Sequence, residues 1–165
     1  MNAATAIPSP LNPQDEERFR VQREARVPAV RAERPRSGLR LLVVDDEAAV
    51  CKALKRNLGR WYEVVALERA REALELILGG QRFDAILCDV VMPEMSGPQF
   101  FEALTRLDPD QARRITFMTG GAFTAEGQAF LASVRSRCVD KPLDLQSLRA
   151  TLENEVAPRS GMEHP

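Results

Sequence analysis

The sequence predicts an α/β fold in which a parallel β-sheet is covered by helices on both faces. Five short apolar segments alternate with five segments whose apolar residues recur at helical spacing, as in consecutive βα units. The strand segments are apolar throughout rather than alternately polar, which is typical of strands buried on both faces. Right-handed crossovers between such units give a doubly wound sheet.

The strand segments are short and apolar, and each precedes a helical pattern. In chain order, the predicted strands are 39–44, 63–67, 83–88, 115–118 and 138–140. The third strand ends in a single aspartate, Asp89, and a loop rich in proline and glycine follows it. This arrangement presents one carboxylate at the rim of the sheet.

The helical segments carry apolar stripes and end signals. The predicted helices are 47–58, 69–78, 98–107 and 125–133, with a last helix through 145–152. The Gly79-Gly80 pair ends the second helix, and the third helix stops before Asp108-Pro109. The side chain of Asp144 is suited to cap the last helix.

The composition excludes several classes of function. With 44% hydrophobic and 28% charged residues, the chain can bury a core, and its net charge of −1 argues against dedicated nucleic-acid binding. The cysteines Cys51, Cys88 and Cys138 show no CxxC spacing, and their odd number in a sequence without a secretory-signal pattern leads us to expect reduced thiols and a cytoplasmic protein. The only histidine is His164, which argues against histidine-based catalysis and zinc sites of the His-Cys type.

The patterning divides the chain into three regions. Residues 1–38 hold five of the eleven prolines among arginines and glutamates, which predicts a disordered arm, with a short charged helix over 15–26 as an option. Residues 39–157 carry the βα pattern, and we expect residues 158–165 to form a second, polar disordered segment. No apolar run reaches the roughly 18–20 residues of a membrane helix, and we expect no membrane association.

Polar residues follow the strands of the predicted sheet. Asp45 and Asp46 end the first strand, Asp89 the third, Thr119 the fourth and Lys141 the fifth. Functional groups collect beyond the carboxyl ends of such strands, so these side chains should converge on one edge. Clustered carboxylates need a cation, and all-oxygen ligands suit Mg²⁺. A metal beside Asp89 would also attract a phosphoryl group.

These residues lie in four motifs that resemble the receiver domain of bacterial two-component response regulators. The motifs are Val-Val-Asp-Asp-Glu at 43–47, the loop 89–97, Met-Thr-Gly at 118–120 and Lys-Pro at 141–142. The resemblance spans about residues 39–157 with every motif in order. It implies a flavodoxin-like, five-stranded parallel sheet of order 2-1-3-4-5.

The resemblance also implies a reaction and its site. A histidine kinase or histidine phosphotransfer protein would phosphorylate Asp89 in the presence of Mg²⁺. Asp46 would bind the metal directly and Asp45 mainly through water, and the Val91 backbone carbonyl would be a further ligand. Thr119 and Lys141 would sense the acyl phosphate, and the bond before Pro142 would be cis.

Two finer points concern the end of the fourth strand and the fifth strand. The segment 117–123 is similar to receivers at the C-termini of hybrid histidine kinases. Receivers usually carry Tyr or Phe three residues before the lysine, whereas this chain has Cys138. That difference affects how a change at Thr119 on phosphorylation would be transmitted to the outer face of the fifth strand. Val91 and Gly121 occupy positions that influence phosphate lifetime in the family.

The leading interpretation is a single-domain response regulator. On this interpretation we expect no DNA-binding domain and no turnover beyond autophosphorylation and autodephosphorylation, with output through the last helix, the fifth strand and the helix after Phe123. The alternatives are a receiver-like binding module that works without phosphate, which Cys138 motivates, and a receiver detached from a hybrid histidine kinase. An aspartyl phosphatase is disfavoured, since Val91 replaces the second Asp of an Asp-x-Asp motif.

Overall fold

The computed structural model describes residues 38–121, 125–134 and 137–156, together with Gln14 and Glu17. Apart from Gln14, Glu17 and Gly38, the predicted arm 1–38 lies outside the described residues, as does the predicted tail 158–165. The optional helix over 15–26 also lies outside them, apart from Glu17, which is helical. Among the described residues, no helix is both long and apolar enough to cross a membrane.

The sheet has five parallel strands in the predicted order. The strands are β1 Arg40–Val44, β2 Glu63–Leu67, β3 Ala85–Asp89, β4 Ile115–Thr119 and β5 Cys138–Asp140. Their order is β2-β1-β3-β4-β5, with every neighbouring pair parallel. Asp89 is the last residue of β3 and lies opposite Met118 of β4. The doubly wound, flavodoxin-like topology is therefore confirmed.

Of the six helices that the structure describes between residues 38 and 156, five match predicted ones within a residue or two at the N-terminal end. The helices are α1 Ala48–Leu58, α2 Ala70–Leu78, α3 Gly97–Leu107, α4 Pro109–Ala112, α5 Ala125–Ser133 and α6 Leu145–Val156. The last helix extends four residues beyond Leu152, the last residue of its predicted apolar stripe. The four-residue α4 was not predicted.

The core forms two layers, one on each face of the sheet. Successive β1 residues point to opposite faces, so that Leu42 and Val44 belong to one apolar cluster and Leu41 and Val43 to the other. The first cluster includes buried residues of α2 and α3, and the second includes buried residues of α1 and α6. Burial on both faces explains why the strands are apolar throughout.

The third strand begins at Ala85, two residues later than predicted, because Phe83 has a different partner. The backbone N–H of Phe83 donates to the side-chain oxygen of Gln111 (3.0 Å), and its carbonyl accepts from the Gln111 amide (3.1 Å). Gln111 belongs to α4, whose N-cap Asp108 accepts a hydrogen bond from the Gln111 N–H and pairs with Arg82 at 2.6 Å. The predicted helix stop at Asp108 is thus also the start of a short helix.

Replacing Gln111 by alanine should lower the free energy of unfolding by about 1–2 kcal/mol. Gln111 is 3% exposed, and its loss leaves both backbone groups of Phe83 without their partner in a buried position. Chemical denaturation measures the effect, and the exposed Gln81→Ala is the control, expected to change stability by less than about 0.5 kcal/mol. Equal stability of the two variants would contradict this account.

Candidate functional site

The carboxyl end of β1 places one buried and one exposed aspartate next to each other. The Asp45 N–H donates to the Leu67 carbonyl (3.1 Å) at the end of β2. Its side chain is fully buried, and Oδ1 accepts from the Glu47 N–H at 2.9 Å. Asp46 is exposed to solvent. The carboxyl group of Asp45 is therefore held in place by the first turn after the strand.

Asp89 is the last residue of β3 and is 7% exposed. The next residue keeps the sheet register, since the Val90 N–H donates to the Met118 carbonyl (3.1 Å). The chain then turns through a loop, and the Gly97 N–H returns to the Val90 carbonyl (3.0 Å). A capping box of Ser96 and Gln99 begins α3 at that point. The loop is thus fixed at both of its ends.

Gly97 lies against the backbone of Asp89. A Cβ atom at position 97 would stand 2.5 Å from the Asp89 carbonyl oxygen and 3.0 Å from the Val90 Cα. Both are backbone atoms, so they cannot move aside as a flexible side chain could. Only glycine allows α3 to begin this close to the end of β3.

Lys141 brings a positive charge from β5 into the acidic edge. Its N–H donates to the Thr119 carbonyl (2.7 Å), and the bond from Lys141 to Pro142 is cis, as predicted. The ammonium Nζ lies 2.8 Å from Asp45 Oδ2 and 3.3 Å from Asp89 Oδ1. One cation therefore bridges two strand ends that lie far apart in the sequence.

Burial and charge act in opposite directions on the ionisable groups of this edge. Burial raises the pKa of the Asp89 carboxyl group, the Lys141 ammonium opposes that rise, and the nearby Asp45 adds to it. Burial alone would lower the pKa of Lys141, but its hydrogen bonds and charge attraction with Asp45 and Asp89 outweigh burial and raise it. Lys141 consequently favours the ionised form of Asp89.

The donor set fits Mg²⁺. Carboxylate oxygens of Asp45, Asp46 and Asp89 all lie within 4.8 Å of one another. All of these donors are oxygen atoms, and Mg²⁺ prefers oxygen ligands and usually retains waters. Three carboxylates face one ammonium group, so the cluster carries excess negative charge that a divalent cation would balance.

Thr119, at the end of β4, and Val91, on the loop after Asp89, lie at the same edge of the sheet as this cluster. Thr119 ends β4 and is 6% exposed, and the exposed Gly120 and Gly121 follow it. The Val91 side chain is 60% exposed on the loop after Asp89. The structure thus places all the predicted site residues at one edge, whereas the ligand role of the Val91 carbonyl and the sensing roles of Thr119 and Lys141 stay predictions.

Cys138 lies at a groove between α5 and β5. The groove has a volume of about 340 Å³, and its lining includes Thr119, Leu131, Cys138 and Asp140. The Cys138 thiol donates to the Val134 carbonyl (3.5 Å) and is half-buried. Open space therefore connects Thr119 with the outer surface at the position where an aromatic residue is usual.

Thiol-specific alkylation of the native protein should modify Cys138 first. Cys51 is 5% exposed and Cys88 is fully buried, whereas Cys138 borders the open groove. Burial raises the pKa of the Cys138 thiol, so alkylation should be slower than that of a free cysteine near pH 8 and accelerate as the pH rises. Peptide mass mapping identifies the modified site, and Cys138→Ser is the control. Initial labelling at Cys51 or Cys88 would contradict this prediction.

Sequence reasoning missed two contributors to this edge. Glu47, the residue after the aspartate pair, places Oε1 at 3.7 Å from Lys141 Nζ. Gly97 was seen only as part of a loop motif, and its contact with the Asp89 backbone depends on how the loop closes. The position of Glu47 directly after Asp45-Asp46 was the available signal for the first of these.

Comparison with known proteins agrees with this geometry. The E. coli (strain K12) transcriptional regulatory protein ZraR is 36% identical over 118 residues, which cover 71% of this chain and 26% of ZraR. The sensor kinase CckA of Brucella abortus (strain 2308) is 33% identical over 115 residues, 68% of this chain and 12% of CckA. The chain therefore spans a minor part of both relatives.

A solved structure shows the same fold. The receiver domain protein of Clostridium thermocellum superposes with a TM-score of 0.62 at 21% identity, covering 72% of this chain and 94% of that one. Fold and site together define a parallel α/β protein that presents an acidic cluster and a lysine at the carboxyl edge of its sheet. The chain belongs to the response regulator receiver domain family, whose model matches residues 41–153. Receiver domains are phosphoacceptor switches of two-component signalling that bind Mg²⁺ at their acidic site.

Proposed function

We propose that this protein is a phosphorelay switch in which Asp89 accepts a phosphoryl group in a Mg²⁺-dependent reaction. The donor is a histidine kinase or a histidine phosphotransfer protein, the partners with which receiver domains interact. The observation that carries the proposal is the position of the Asp89 carboxyl group, at the end of β3 and within 3.3 Å of the Lys141 ammonium.

The reaction needs a nucleophile and balanced charge. A carboxylate oxygen of Asp89 attacks phosphorus while the phosphorus–nitrogen bond of the donor phosphohistidine breaks, and the electron pair remains on the imidazole nitrogen. Asp46, Asp89 and the Val91 carbonyl would hold Mg²⁺, with Asp45 contributing mainly through water, and the ion would supply positive charge to the phosphoryl oxygens. Lys141 attracts the same oxygens, and the Thr119 hydroxyl hydrogen-bonds the product. Asp89 thereby becomes an acyl phosphate.

We further propose that the phosphorylated state is read by proteins rather than by DNA. The surface formed by α5, β5 and α6 adjoins Thr119 and Lys141, so that a shift of these residues changes it directly. We also propose that residues 39–157 form the receiver unit and that the switch acts in the cytoplasm, without catalytic turnover of a separate substrate. Detection of an 18.4 kDa protein in native cells would support the single-domain state, and a larger product would refute it.

Phosphorylation of purified protein tests the main proposal. With Mg²⁺ and a small acyl phosphate donor, intact-mass spectrometry should show the addition of one phosphate to the wild type and none to Asp89→Asn. The matched control is Asp110→Asn, an exposed aspartate on α4 that should leave phosphorylation unchanged. Removal of Mg²⁺ by a chelator should abolish the reaction. Phosphate on Asp89→Asn would refute the assignment of the acceptor.

A second function, partner binding that is independent of phosphate, has one observation in its favour. Cys138 leaves a groove next to Thr119, in place of the aromatic side chain that is usual in receivers. In that case wild type and Asp89→Asn bind the partner with equal affinity, whether or not phosphodonor is present. A phosphate-dependent difference in affinity would exclude it.

A further inference from the structure

Lys141 is shared among three carboxylates, and only two of them belong to the metal cluster. Its Nζ lies 2.8 Å from Asp45, 3.3 Å from Asp89 and 3.7 Å from Glu47. Asp45 and Asp89 join Asp46 in the group of oxygens that fits Mg²⁺, whereas Glu47 stands outside that group. Glu47 is therefore the partner of Lys141 that a divalent cation would not engage.

The conformation of Glu47 also sets it apart from an ordinary helix-capping residue. It occupies the N-cap position of α1 with extended backbone angles, yet its side chain makes no capping hydrogen bond. Instead its carboxylate, in a side chain that is 65% exposed, faces the Lys141 ammonium. Its backbone N–H donates a hydrogen bond to Asp45 Oδ1 (2.9 Å). One residue thus contacts both Asp45 and Lys141.

A divalent cation changes the balance of attraction on Lys141. Positive charge placed between Asp45 and Asp89 weakens their pull on the ammonium and repels it directly. The Lys141 side chain is 18% exposed at the rim of the site, so solvent is its alternative environment. The Glu47 carboxylate lies outside the metal cluster, so the cation does not cancel its attraction for the Lys141 ammonium.

We propose that Glu47 is a positioning residue for Lys141, retaining the ammonium group beside Asp89 when Mg²⁺ occupies the acidic cluster. The inference rests on the proposed function, because it gives Lys141 the task of meeting a phosphoryl group there. Glu47 itself does not touch the reacting atoms.

The small number of lysines makes Lys141 directly observable. The chain has three lysines, and the other two, Lys52 and Lys55, are exposed on α1. Lysine-specific ¹³C labelling therefore yields three Cε signals. The signal that disappears in Lys141→Arg is that of Lys141. In the wild type with Mg²⁺, the Lys141 signal should keep two inequivalent Hε protons, the sign of a fixed side chain. In Glu47→Gln with Mg²⁺, it should collapse towards the averaged signals of Lys52 and Lys55.

A matched control separates this role from a general loss of charge. Glu68 is exposed just after β2, at the same edge of the sheet, and forms no ion pair with Lys141 in the described structure. Glu68→Gln removes the same charge and should leave the Lys141 signal as in the wild type. A Lys141 signal that stays fixed in Glu47→Gln with Mg²⁺, or that averages equally in Glu68→Gln, would overturn the proposal.

Phosphorylation kinetics give an independent second measurement. Glu47→Gln should slow phosphorylation by the small acyl phosphate about two- to fivefold, the range expected for one exposed ion pair. The same substitution should have no further effect in a Lys141→Met background, and an undiminished effect there would overturn the proposal. If the wild type takes up no phosphate, the proposed function fails, whereas the lysine spectra still decide whether Glu47 positions Lys141.

Discussion

Replacing Lys141 by methionine should lower the free energy of unfolding by about 2–4 kcal/mol when no divalent cation is present. Asp45 is fully buried and would lose its partner at 2.8 Å, and Asp89 would lose the ammonium at 3.3 Å. Methionine preserves most of the aliphatic length, so the effect reports on the charge rather than on a cavity. Urea denaturation in the presence of a chelator measures it.

Mg²⁺ should restore more stability to Lys141→Met than it adds to the wild type. The variant leaves three clustered carboxylates with no ammonium to compete for them, so the cation is bound more tightly. Saturation at a hundred times the Kd stabilises a protein by about 2.7 kcal/mol, and a lower Kd gives a larger gain at fixed Mg²⁺. The control is Lys52→Met on the exposed side of α1. If Mg²⁺ raised the free energy of unfolding of Lys141→Met and of the wild type equally, Lys141 and the cation would not share these carboxylates.

The fold was predictable because two sequence signals mark each strand: the apolar run of the strand itself and the helical pattern that follows it. An apolar run such as 39–44 marks a strand buried on both faces, and the helical stripe that follows forces a parallel crossover. Deviations arose where a side chain from a distant element replaced sheet hydrogen bonds, as Gln111 does at Phe83. The four-residue α4 was missed because one helical turn is too short to show a period.

The site was predictable to the level of an edge but not of individual contacts. Strand ends converge on one side of a parallel sheet, which brought Asp45 and Lys141 together although 96 residues separate them. Which carboxylates share that lysine depends on side-chain directions that no spacing encodes, so the position of Glu47 after Asp45-Asp46 indicated a nearby carboxylate but not its contact with Lys141. The groove at Cys138 likewise depends on how α5 packs against β5.

The Gly97→Ala substitution should destabilise the protein by about 2–3 kcal/mol and slow phosphorylation of Asp89. The added methyl group would stand 2.5 Å from the Asp89 carbonyl oxygen, far inside van der Waals contact. Relief requires α3 or the end of β3 to move, and both are held by buried packing. Because the clash falls on the backbone of Asp89 itself, the displacement reaches the acceptor carboxylate, and a shift of about 1 Å can slow a reaction up to a hundredfold.

Gly120→Ala is the matched control for this clash. Gly120 lies at the same edge of the sheet, but a Cβ atom there meets nothing within 4 Å, so stability should change by less than about 0.5 kcal/mol. Thermal unfolding of both variants, followed by phosphorylation with the small acyl phosphate, separates folding from chemistry. If Gly97→Ala unfolds at the wild-type temperature, the close approach of α3 to β3 is not fixed. If it is destabilised yet phosphorylated at the wild-type rate, the loop absorbs the clash without moving the carboxylate.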